Sequence, residues 1–199
     1  MPDERKLVLG TAQFGFEYGK FAREEAQNEK EIQKIINLCR LNGVTQIDTA
    51  PVYGDFFSKN LNVHDFYIDT KIFFPNLSDI RSSFSLAIES TLSSLSLEKI
   101  NTLYLHNPSL LNGNPEATEK VVLMFNEAKS SNLISNIGIS TYSVWEIEAL
   151  IKTLEVDVVQ MPINYIDGYF RRDYENLKAL KKKRNFLIYA RSVFLQGIL

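Results

Sequence analysis

Short apolar runs and helix-like segments alternate along the whole chain, and this alternation is the feature that most constrains the fold. Runs rich in β-branched and apolar residues predict seven strands, at residues 6–10, 45–48, 66–70, 101–106, 136–140, 156–161 and 186–190. The gaps between them carry apolar residues at helical spacing. Strict alternation predicts parallel strands joined by right-handed crossovers, and it leaves two architectures, an open doubly wound sheet and a (β/α)8 barrel.

Two of the predicted helices have clear start signals. Asn114 followed by Pro115 has the pattern of an N-cap residue and the first helical position. Ser143 and Glu146 have the spacing of a capping box, in which each side chain bonds the backbone of the other residue. Both signals stand in gaps between predicted strands, so they support the alternation.

Length and composition indicate a single globular domain. At 199 residues the chain can form one good core, and we expect one domain over residues 1–199. No apolar run approaches the roughly 18 residues of a membrane-spanning helix. The first residues lack the apolar stretch of a secretory signal, so we expect a cytoplasmic protein with no membrane partner. Cys39 is the only cysteine, which excludes an intrachain disulfide and a multi-cysteine metal site, and we expect no metal.

The charge balance argues against a nucleic-acid partner. The chain has 22 Lys and Arg against 24 Asp and Glu, a formal net charge of -2. Binding to a phosphate backbone depends on clustered cations. The single basic run, residues 181–184, predicts the solvated last turn of a helix, where cations favour the negative end of the helix dipole.

Polar side chains fall at or just past the C-terminal ends of different predicted strands. They are Asp48, Lys71, His106, Asn107, Ser140, Gln160 and Asn164. In a barrel these strand ends converge on one mouth, so residues far apart in sequence can meet around one substrate. Asp48, Lys71 and His106 would then share a pocket with Tyr53, which follows the second strand.

These four residue types suit the reduction of a carbonyl group. A phenol ordinarily titrates near pH 10, and a close ammonium favours its ionised form, so Lys71 would help Tyr53 to donate a proton. A buried ammonium needs a partner, which gives Asp48 the task of holding Lys71. His106 can hydrogen-bond a carbonyl oxygen and orient it toward Tyr53. No side chain supplies hydride, so a reduced nicotinamide would have to lie beside these residues.

Seven segments, in order, resemble the aldo/keto reductase superfamily over essentially the whole chain. They are LVLGTAQFG (7–15), IDTAPVYGD (47–55), IDTKI (68–72), LYLHNP (103–108), IGISTYS (137–143), VVQMPINY (158–165) and ARSVFLQGIL (190–199). By this resemblance Asp48, Tyr53, Lys71 and His106 match the family's catalytic tetrad, with Tyr53 as the proton donor. The variants LGTAQFG and RSVFLQG resemble the branch often found among bacterial sugar and surface-polysaccharide genes.

The resemblance implies a (β/α)8 TIM-type barrel that uses NADP(H), with NAD(H) as the alternative, to reduce an aldehyde, ketone or sugar carbonyl. The implied cofactor-binding residues are Gly10, Thr11, Asp48, Ser140, Gln160, Arg191 and Ser192. The hydroxyl of Ser140 and the amide of Gln160 can together satisfy the donor and acceptor of a carboxamide. Arg191 replaces an aromatic residue that stacks on the nicotinamide in many members, and a guanidinium plane can stack as well.

Three departures from the family pattern bear on the predicted site. Thr141 stands where many members have asparagine. The segment after Tyr53 reads YGDFFSKNLNVHDFYIDTK, which predicts a short or irregular second helix. The sequence ends at Leu199, after about seven β/α units, without the eighth strand and the phosphate-binding loop of the family.

A barrel of about seven units leaves an open seam between its first and last strands. Three explanations stay open: a truncated gene product, closure by a partner chain or by exchange between identical chains, and a natural short form with a gap. A homo-oligomer that covers the seam is therefore one expected partner, beside a small carbonyl or sugar substrate. The alternative function is a non-catalytic regulatory or remnant barrel that has lost binding of the cofactor's phosphate.

Overall fold

Strands and helices alternate along the described part of the chain. The computed structural model describes residues 7–14, 29–53, 63–166 and 168–195. In these residues the strands are β1 (Leu9–Gly10), β2 (Gln46–Asp48), β3 (Tyr67–Ile72), β4 (Ile100–Leu105), β5 (Ile134–Ser140), β6 (Val158–Pro162) and β7 (Leu187–Arg191). The α-helices are α1 (Glu29–Leu41), α2 (Ile80–Ser94), α3 (Pro115–Ser130), α4 (Val144–Leu150) and α5 (Gly168–Lys183). Short 3-10 helices lie at Pro51–Tyr53 and Pro108–Leu111.

The strands form one parallel sheet in the order β1 to β7. Each strand pairs with the next one in sequence, and the sheet curls into an incomplete barrel. An open doubly wound sheet would reverse its strand order at a switch point, and no reversal occurs among the described strands. The predicted incomplete (β/α)8 barrel of about seven units is therefore confirmed.

The two faces of the curled sheet have different chemistry, because successive side chains of a strand point to opposite faces. Ile47 and Ile68 pack with Ile32 and Ile36 of α1 in a core on the outer face. A larger core joins the outer faces of later strands to α2, α3, α4 and α5. Residues one position away from these apolar ones, in the same strands, therefore line the interior of the barrel.

The predicted start of α3 is confirmed. The capping box predicted for α4 does not form, because another residue makes its hydrogen bonds. The side chain of Asn114 accepts a hydrogen bond from the backbone N–H of Ala117 at 3.0 Å. Ser143 is the N-cap of α4, but its side chain makes no cap bond. The hydroxyl of Thr141 instead accepts the N–H of Ser143 at 3.0 Å and donates to the carboxylate of Glu146. Thr141 reaches these groups because it lies two residues before the cap.

The remaining expectations for the connections have different outcomes. The cations Lys181, Lys182 and Lys183 lie in the last turn of α5 and are exposed, which confirms that prediction. The segment expected to form a short or irregular second helix falls largely on residues 54–62, which lie outside the described residues. Among the residues that are described, no helix has both the length and the apolar character needed to cross a membrane.

Candidate active site

An ion pair between the C-terminal parts of β2 and β3 forms the centre of the barrel mouth. Nζ of Lys71 donates to the two carboxylate oxygens of Asp48 at 2.7 and 2.8 Å, and to the carbonyl oxygen of Thr49 at 3.0 Å. The side chain of Lys71 is only 2% exposed. An unpaired ammonium would be strongly unfavourable at such a position. Three acceptors match its three donors, so the ammonium is fully hydrogen-bonded and fixed in place.

Tyr53 lies beside this ion pair. It ends the 3-10 helix Pro51–Tyr53 that follows β2, and its backbone N–H donates to the carbonyl oxygen of Ala50 at 2.9 Å. Nζ of Lys71 is 5.5 Å from the centroid of the Tyr53 ring, within the range of roughly 6 Å at which a cation is attracted to an aromatic face. The structure thus places the predicted carboxylate, ammonium and phenol next to one another.

His106 follows β4 at the same mouth and is held by its backbone. Its N–H donates to the carbonyl oxygen of Ile72 at 2.9 Å. The next side chain, Asn107, bonds both backbone groups of Phe74: its Oδ1 accepts the N–H at 3.1 Å, and its Nδ2 donates to the carbonyl oxygen at 2.8 Å. These bonds continue the pairing of β3 and β4 beyond the strand ends, so His106 has a defined position.

The surroundings of His106 favour a neutral imidazole. Burial lowers the pKa of His106 below its ordinary value, and the positive charges of Lys71 and Arg191 lower it further, against an opposing effect of Asp48. A neutral imidazole has one N–H donor and one acceptor nitrogen. His106 can therefore donate a hydrogen bond to a neutral oxygen atom at neutral pH.

Ser140 and Gln160, the predicted partners of a carboxamide, bond to each other. Oγ of Ser140 donates to Oε1 of Gln160 at 3.1 Å, and Nε2 of Gln160 donates to Oδ1 of Asp48 at 3.0 Å. This relay connects β5, β6 and β2 across the mouth, and both side chains are buried. A carboxamide has the same kinds of donor and acceptor, so it can replace these bonds one for one.

The predicted residues of β1 have two different surroundings. Thr11 is buried, and its backbone N–H donates to the carbonyl oxygen of Asp48 at 3.0 Å. Its hydroxyl donates to Oγ1 of Thr49 at 2.9 Å. Thr11 therefore ties β1 to the end of β2. At Gly10 no heavy atom of the described residues lies within 4 Å of the place that a Cβ atom would occupy, and a ligand can approach the backbone there.

Arg191, at the end of β7, stacks on a tyrosine. Its Cζ lies 4.2 Å from the centroid of the Tyr142 ring, and Nη1 donates to the Tyr142 hydroxyl at 3.2 Å. Nε of Arg191 is buried and has no hydrogen-bond partner in the residues that the structure describes. The following residue, Ser192, has φ of 55°, in the left-handed region. Sequence reasoning did not identify Tyr142 as the stacking partner of Arg191.

The residues at the mouth fit a nicotinamide cofactor. The hydroxyl and amide of Ser140 and Gln160 suit a carboxamide, and the buried, unpartnered Nε of Arg191 is a donor that an anionic or polar group can use. The open space at Gly10 leaves room for a ligand at the same strand ends. Within the described ranges, no group of three or more His, Cys, Asp or Glu side chains could hold a metal ion.

Polar residues that sequence reasoning missed lie one layer deeper in the barrel. The carboxylate of Asp69 is fully buried. Nδ2 of Asn101 donates to its Oδ1 at 2.6 Å, and Nε2 of Gln46 donates to its Oδ2. Gln46 and Asp69 each precede a predicted catalytic residue, Asp48 or Lys71, by two positions, which places them on the same face of the strand. That spacing is the sequence signal that could have identified them.

Comparison with known proteins places the chain in a family. The model of the aldo/keto reductase family matches residues 6–199. A thermostable aldo-keto reductase in complex with the inhibitor epalrestat has 24% identity and a TM-score of 0.74, with 96% of this chain and 70% of that chain covered. An aldo-keto reductase from Bacillus halodurans in its holo form has 19% identity and a TM-score of 0.74, with 97% and 63% covered.

A third similar structure is the aldo-keto reductase of Bombyx mori in complex with NADP, with 20% identity, a TM-score of 0.68, and 94% of this chain and 62% of that chain covered. No curated protein matches the sequence. Because their identities are below 25%, these three structures show the fold alone. The family match, in contrast, extends over nearly the whole sequence and agrees with the parallel barrel. The chain therefore belongs to the aldo/keto reductase family.

Proposed function

We propose that the protein is an NADPH-dependent oxidoreductase that reduces an aldehyde, ketone or sugar carbonyl to an alcohol. The observation that carries the proposal is the buried Lys71 ammonium, which is held by Asp48 and lies 5.5 Å from the ring centroid of Tyr53. Membership of the aldo/keto reductase family supports an oxidoreductase that uses a nicotinamide cofactor. The substrate class and the role of each side chain are inferred from the chemistry of the mouth.

Tyr53 is the proposed proton donor. Its hydroxyl gives a proton to the carbonyl oxygen, which becomes the hydroxyl of the alcohol. The phenolate that remains lies next to the Lys71 ammonium, and a nearby positive charge stabilises it. Asp48 keeps that ammonium in position through its two short contacts. Tyr53 then recovers its proton from solvent at the mouth.

His106 is the proposed orienting group for the substrate. A neutral imidazole can donate its N–H to the carbonyl oxygen and hold it toward Tyr53, and such a bond strengthens as negative charge develops on that oxygen. Burial, together with Lys71 and Arg191, lowers the pKa of His106, which favours this neutral form. The imidazole therefore acts as a hydrogen-bond donor and Tyr53 as the acid.

Residues around the mouth would hold the cofactor. When bound, the reduced nicotinamide supplies the hydride that no side chain can provide. Ser140 and Gln160 would bind its carboxamide. Gly10 and Thr11 at the end of β1, Asp48 at the end of β2, and Arg191 and Ser192 at the end of β7 would line the same space. We propose NADP(H) as the cofactor, with NAD(H) as the alternative, and parallel titrations with both distinguish them.

A binding titration combined with one turnover assay tests the proposal. The purified chain is titrated with NADPH, followed by fluorescence, and NADPH oxidation is measured with a simple aldehyde. Tyr53→Phe should lower turnover by about 100-fold or more, because a positioned general acid contributes on that scale, while the Kd for NADPH stays nearly unchanged. Tyr165→Phe is the matched control, since Tyr165 is 85% exposed and has no proposed role. An unaltered rate in Tyr53→Phe would remove Tyr53 from its role.

The alternative is a non-catalytic regulatory or remnant barrel. One observation favours it: the side chains of Ser140, Gln160 and Asp48 already hydrogen-bond one another without a ligand. A regulatory barrel would bind NADPH with negligible turnover, and a remnant that has lost phosphate binding would bind no dinucleotide. The same titration and assay separate both from a reductase.

A further inference from the structure

A carboxylate inside the barrel links the strand of Lys71 to strands on both sides. Asp69 accepts hydrogen bonds from Gln46 of β2 and from Asn101 of β4. The other end of the Gln46 amide, Oε1, accepts the hydroxyl of Tyr189 on β7 at 3.3 Å. Asp69 is therefore the centre of a hydrogen-bonded layer that extends across the barrel from β4 to β7, with half-buried residues at its two ends. We call these five residues the interior layer: Gln46, Asp69, Asn101, Tyr104 and Tyr189.

Tyr104 connects the interior layer to the proposed active site. It is fully buried, and its hydroxyl oxygen lies 3.5 Å from Oδ2 of Asp69, longer than an ordinary hydrogen bond. Nζ of Lys71 is 5.9 Å from the centroid of the Tyr104 ring and 5.5 Å from that of Tyr53. The ammonium thus has a phenol ring of the interior layer and the ring of the proposed acid as neighbours.

A carboxylic acid is an unexpected choice for a buried position that serves packing alone. Burying an ionised group is unfavourable unless it is well hydrogen-bonded, and an apolar or amide side chain would fill the same space. Asp69 is nevertheless the register partner of Asp48 on β2, and it lies two positions before Lys71 on β3. Its charge is therefore placed close to the proposed catalytic ion pair.

The ionisation of Asp69 responds to these surroundings. Burial raises the pKa of Asp69 to about 6, the hydrogen bonds from Asn101 and Gln46 oppose that rise, and the charge of Asp48 adds to it. The titratable groups that face Asp69 are Asp48 on β2, Tyr104 on β4 and, through Gln46, Tyr189 on β7. Lys71 lies two positions further along β3. At neutral pH Asp69 is mainly ionised, so the interior layer carries a negative charge below the Asp48–Lys71 pair.

We propose that Asp69 is a positioning residue for carbonyl reduction, which acts through Tyr104 to hold the Lys71 ammonium beside Tyr53. This role rests on the proposed function. The carboxylate lies 3.5 Å from the hydroxyl of Tyr104, whose ring neighbours the ammonium, and its negative charge favours the ammonium at that position. When Asp69 takes up a proton, this effect weakens, and Lys71 is less well placed to stabilise the Tyr53 phenolate.

The test compares Asp69→Asn, which removes the charge and keeps the size, with Thr70→Val. Thr70 is the adjacent buried residue, and the alternation of side chains along β3 places it on the outer face. Asp69→Asn should lower kcat at neutral pH by about 10- to 100-fold, the scale of a misplaced reacting group, with the Kd for NADPH changed by less than about two-fold. As the pH drops through about 6, the wild-type kcat should fall toward that of Asp69→Asn, whereas a fall shared by both proteins at lower pH reports protonation of His106, whose pKa lies below its ordinary value. Thr70→Val should keep both the rate and the pH profile.

Two kinetic outcomes would overturn the role of Asp69. One is an Asp69→Asn variant that keeps the wild-type kcat and pH profile. The other is an equal loss of rate in Thr70→Val, since a general disturbance of β3 would then explain the result.

A spectroscopic measurement tests the role without turnover. The Cε signal of Lys71 is followed by NMR in protein carrying 13C-lysine, and it is assigned by its absence in Lys71→Met. In the wild type this signal should change position as the pH passes through about 6, and the change should be lost in Asp69→Asn. An unchanged wild-type signal would overturn the positioning role even if the protein reduces carbonyls. A signal that does change, in a protein without turnover, would support the coupling while contradicting the proposed function. If Asp69→Asn does not fold, the titration is repeated in His106→Gln, where the change at Lys71 should persist, because His106 also interacts with Lys71. Its loss in His106→Gln would overturn the role of Asp69.

Discussion

The ring of Tyr104 packs directly on the backbone of Gly138, where a Cβ atom would stand 2.3 Å from Cδ1 of the ring. The two residues are register partners on β4 and β5. Real Cβ atoms do not approach carbon so closely, so only glycine leaves room for the ring at this position. The contact holds Tyr104 against the sheet, between Asp69 and Lys71.

Gly138→Ala should therefore destabilise the fold. We expect the free energy of unfolding to fall by about 1–3 kcal/mol, the range for overpacking a filled interior, as measured by urea denaturation. The matched control is Gly10→Ala, where a Cβ atom meets open space, and the change there should be within about 0.5 kcal/mol. Equal stability of Gly138→Ala and the wild type would contradict the packing of Tyr104 on Gly138.

Lys71→Met should destabilise the protein because it leaves the Asp48 carboxylate without its cation. Removing one partner of a buried pair lowers the free energy of unfolding by about 3–5 kcal/mol. We expect the lower end of that range, since Asp48 keeps its hydrogen bond from Gln160 and is 16% exposed. Urea denaturation at neutral pH measures the change.

A double variant tests whether the loss arises from an unpaired charge. Asp48→Asn combined with Lys71→Met removes both charges, so it should be more stable than Lys71→Met alone. If the double variant lost the sum of the two single losses, the residues would not be coupled.

Asp69 should give the stability an unusual dependence on pH. Its pKa is about 6 in the folded state and about 3.9 in an unfolded chain. Between these values the folded state holds a proton that the unfolded state has released. The contribution of Asp69 to stability is therefore full below about pH 4 and is lost as the pH rises through about 6, a change of about 2–3 kcal/mol.

The difference in unfolding free energy between wild type and Asp69→Asn isolates this effect, because other titrating groups cancel. Relative to the variant, the wild type should lose stability as the pH is raised from 4 to about 6, and the difference should stay constant at higher pH. A difference that is constant over the whole window would show that Asp69 titrates normally.

The imidazole of His106 should titrate below the ordinary histidine value. Its pKa is lowered by burial first and by Lys71 and Arg191 next, and NMR can follow its ring protons because the chain has only 2 histidines. Arg191→Met should raise the pKa of His106 partway toward the ordinary value, since one cation is removed while the burial remains. A pKa that does not respond to Arg191→Met would place the guanidinium too far from the imidazole to influence it.

The open seam should favour association of two chains. Among the described residues β1 pairs only with β2, and β7 only with β6, so each has a free edge, and free strand edges invite pairing. We propose a homo-oligomer that covers the seam, and light scattering of the purified chain should give more than the 22.8 kDa of one copy. A monomer at all concentrations would contradict this. Lys181→Glu, in the last turn of α5, is a surface control that should leave the mass unchanged.

Patterns along the sequence predicted most of the fold, and each predicted strand overlaps an observed one. Strand ends were less accurate: β3 extends to Ile72, so Lys71 lies within the strand. β5 begins at Ile134, two residues earlier than expected. Helical spacing and strand-like runs are local properties, whereas the ends of strands depend on the pairing of neighbouring strands. The roles of the site residues stay predictions that the variants above test.

The sequence by itself determined the alternation of strands and helices, and the positions of Asp48, Lys71 and Ser140 in the C-terminal parts of their strands, because periodicity and composition are local. Only the tertiary structure decided which of these side chains meet. Gln160 bonds Asp48 across 112 positions of the chain, and Tyr189 bonds Gln46 across 143. Such contacts depend on the curl and register of the whole sheet, and for that reason the interior layer around Asp69 was not identified from the sequence.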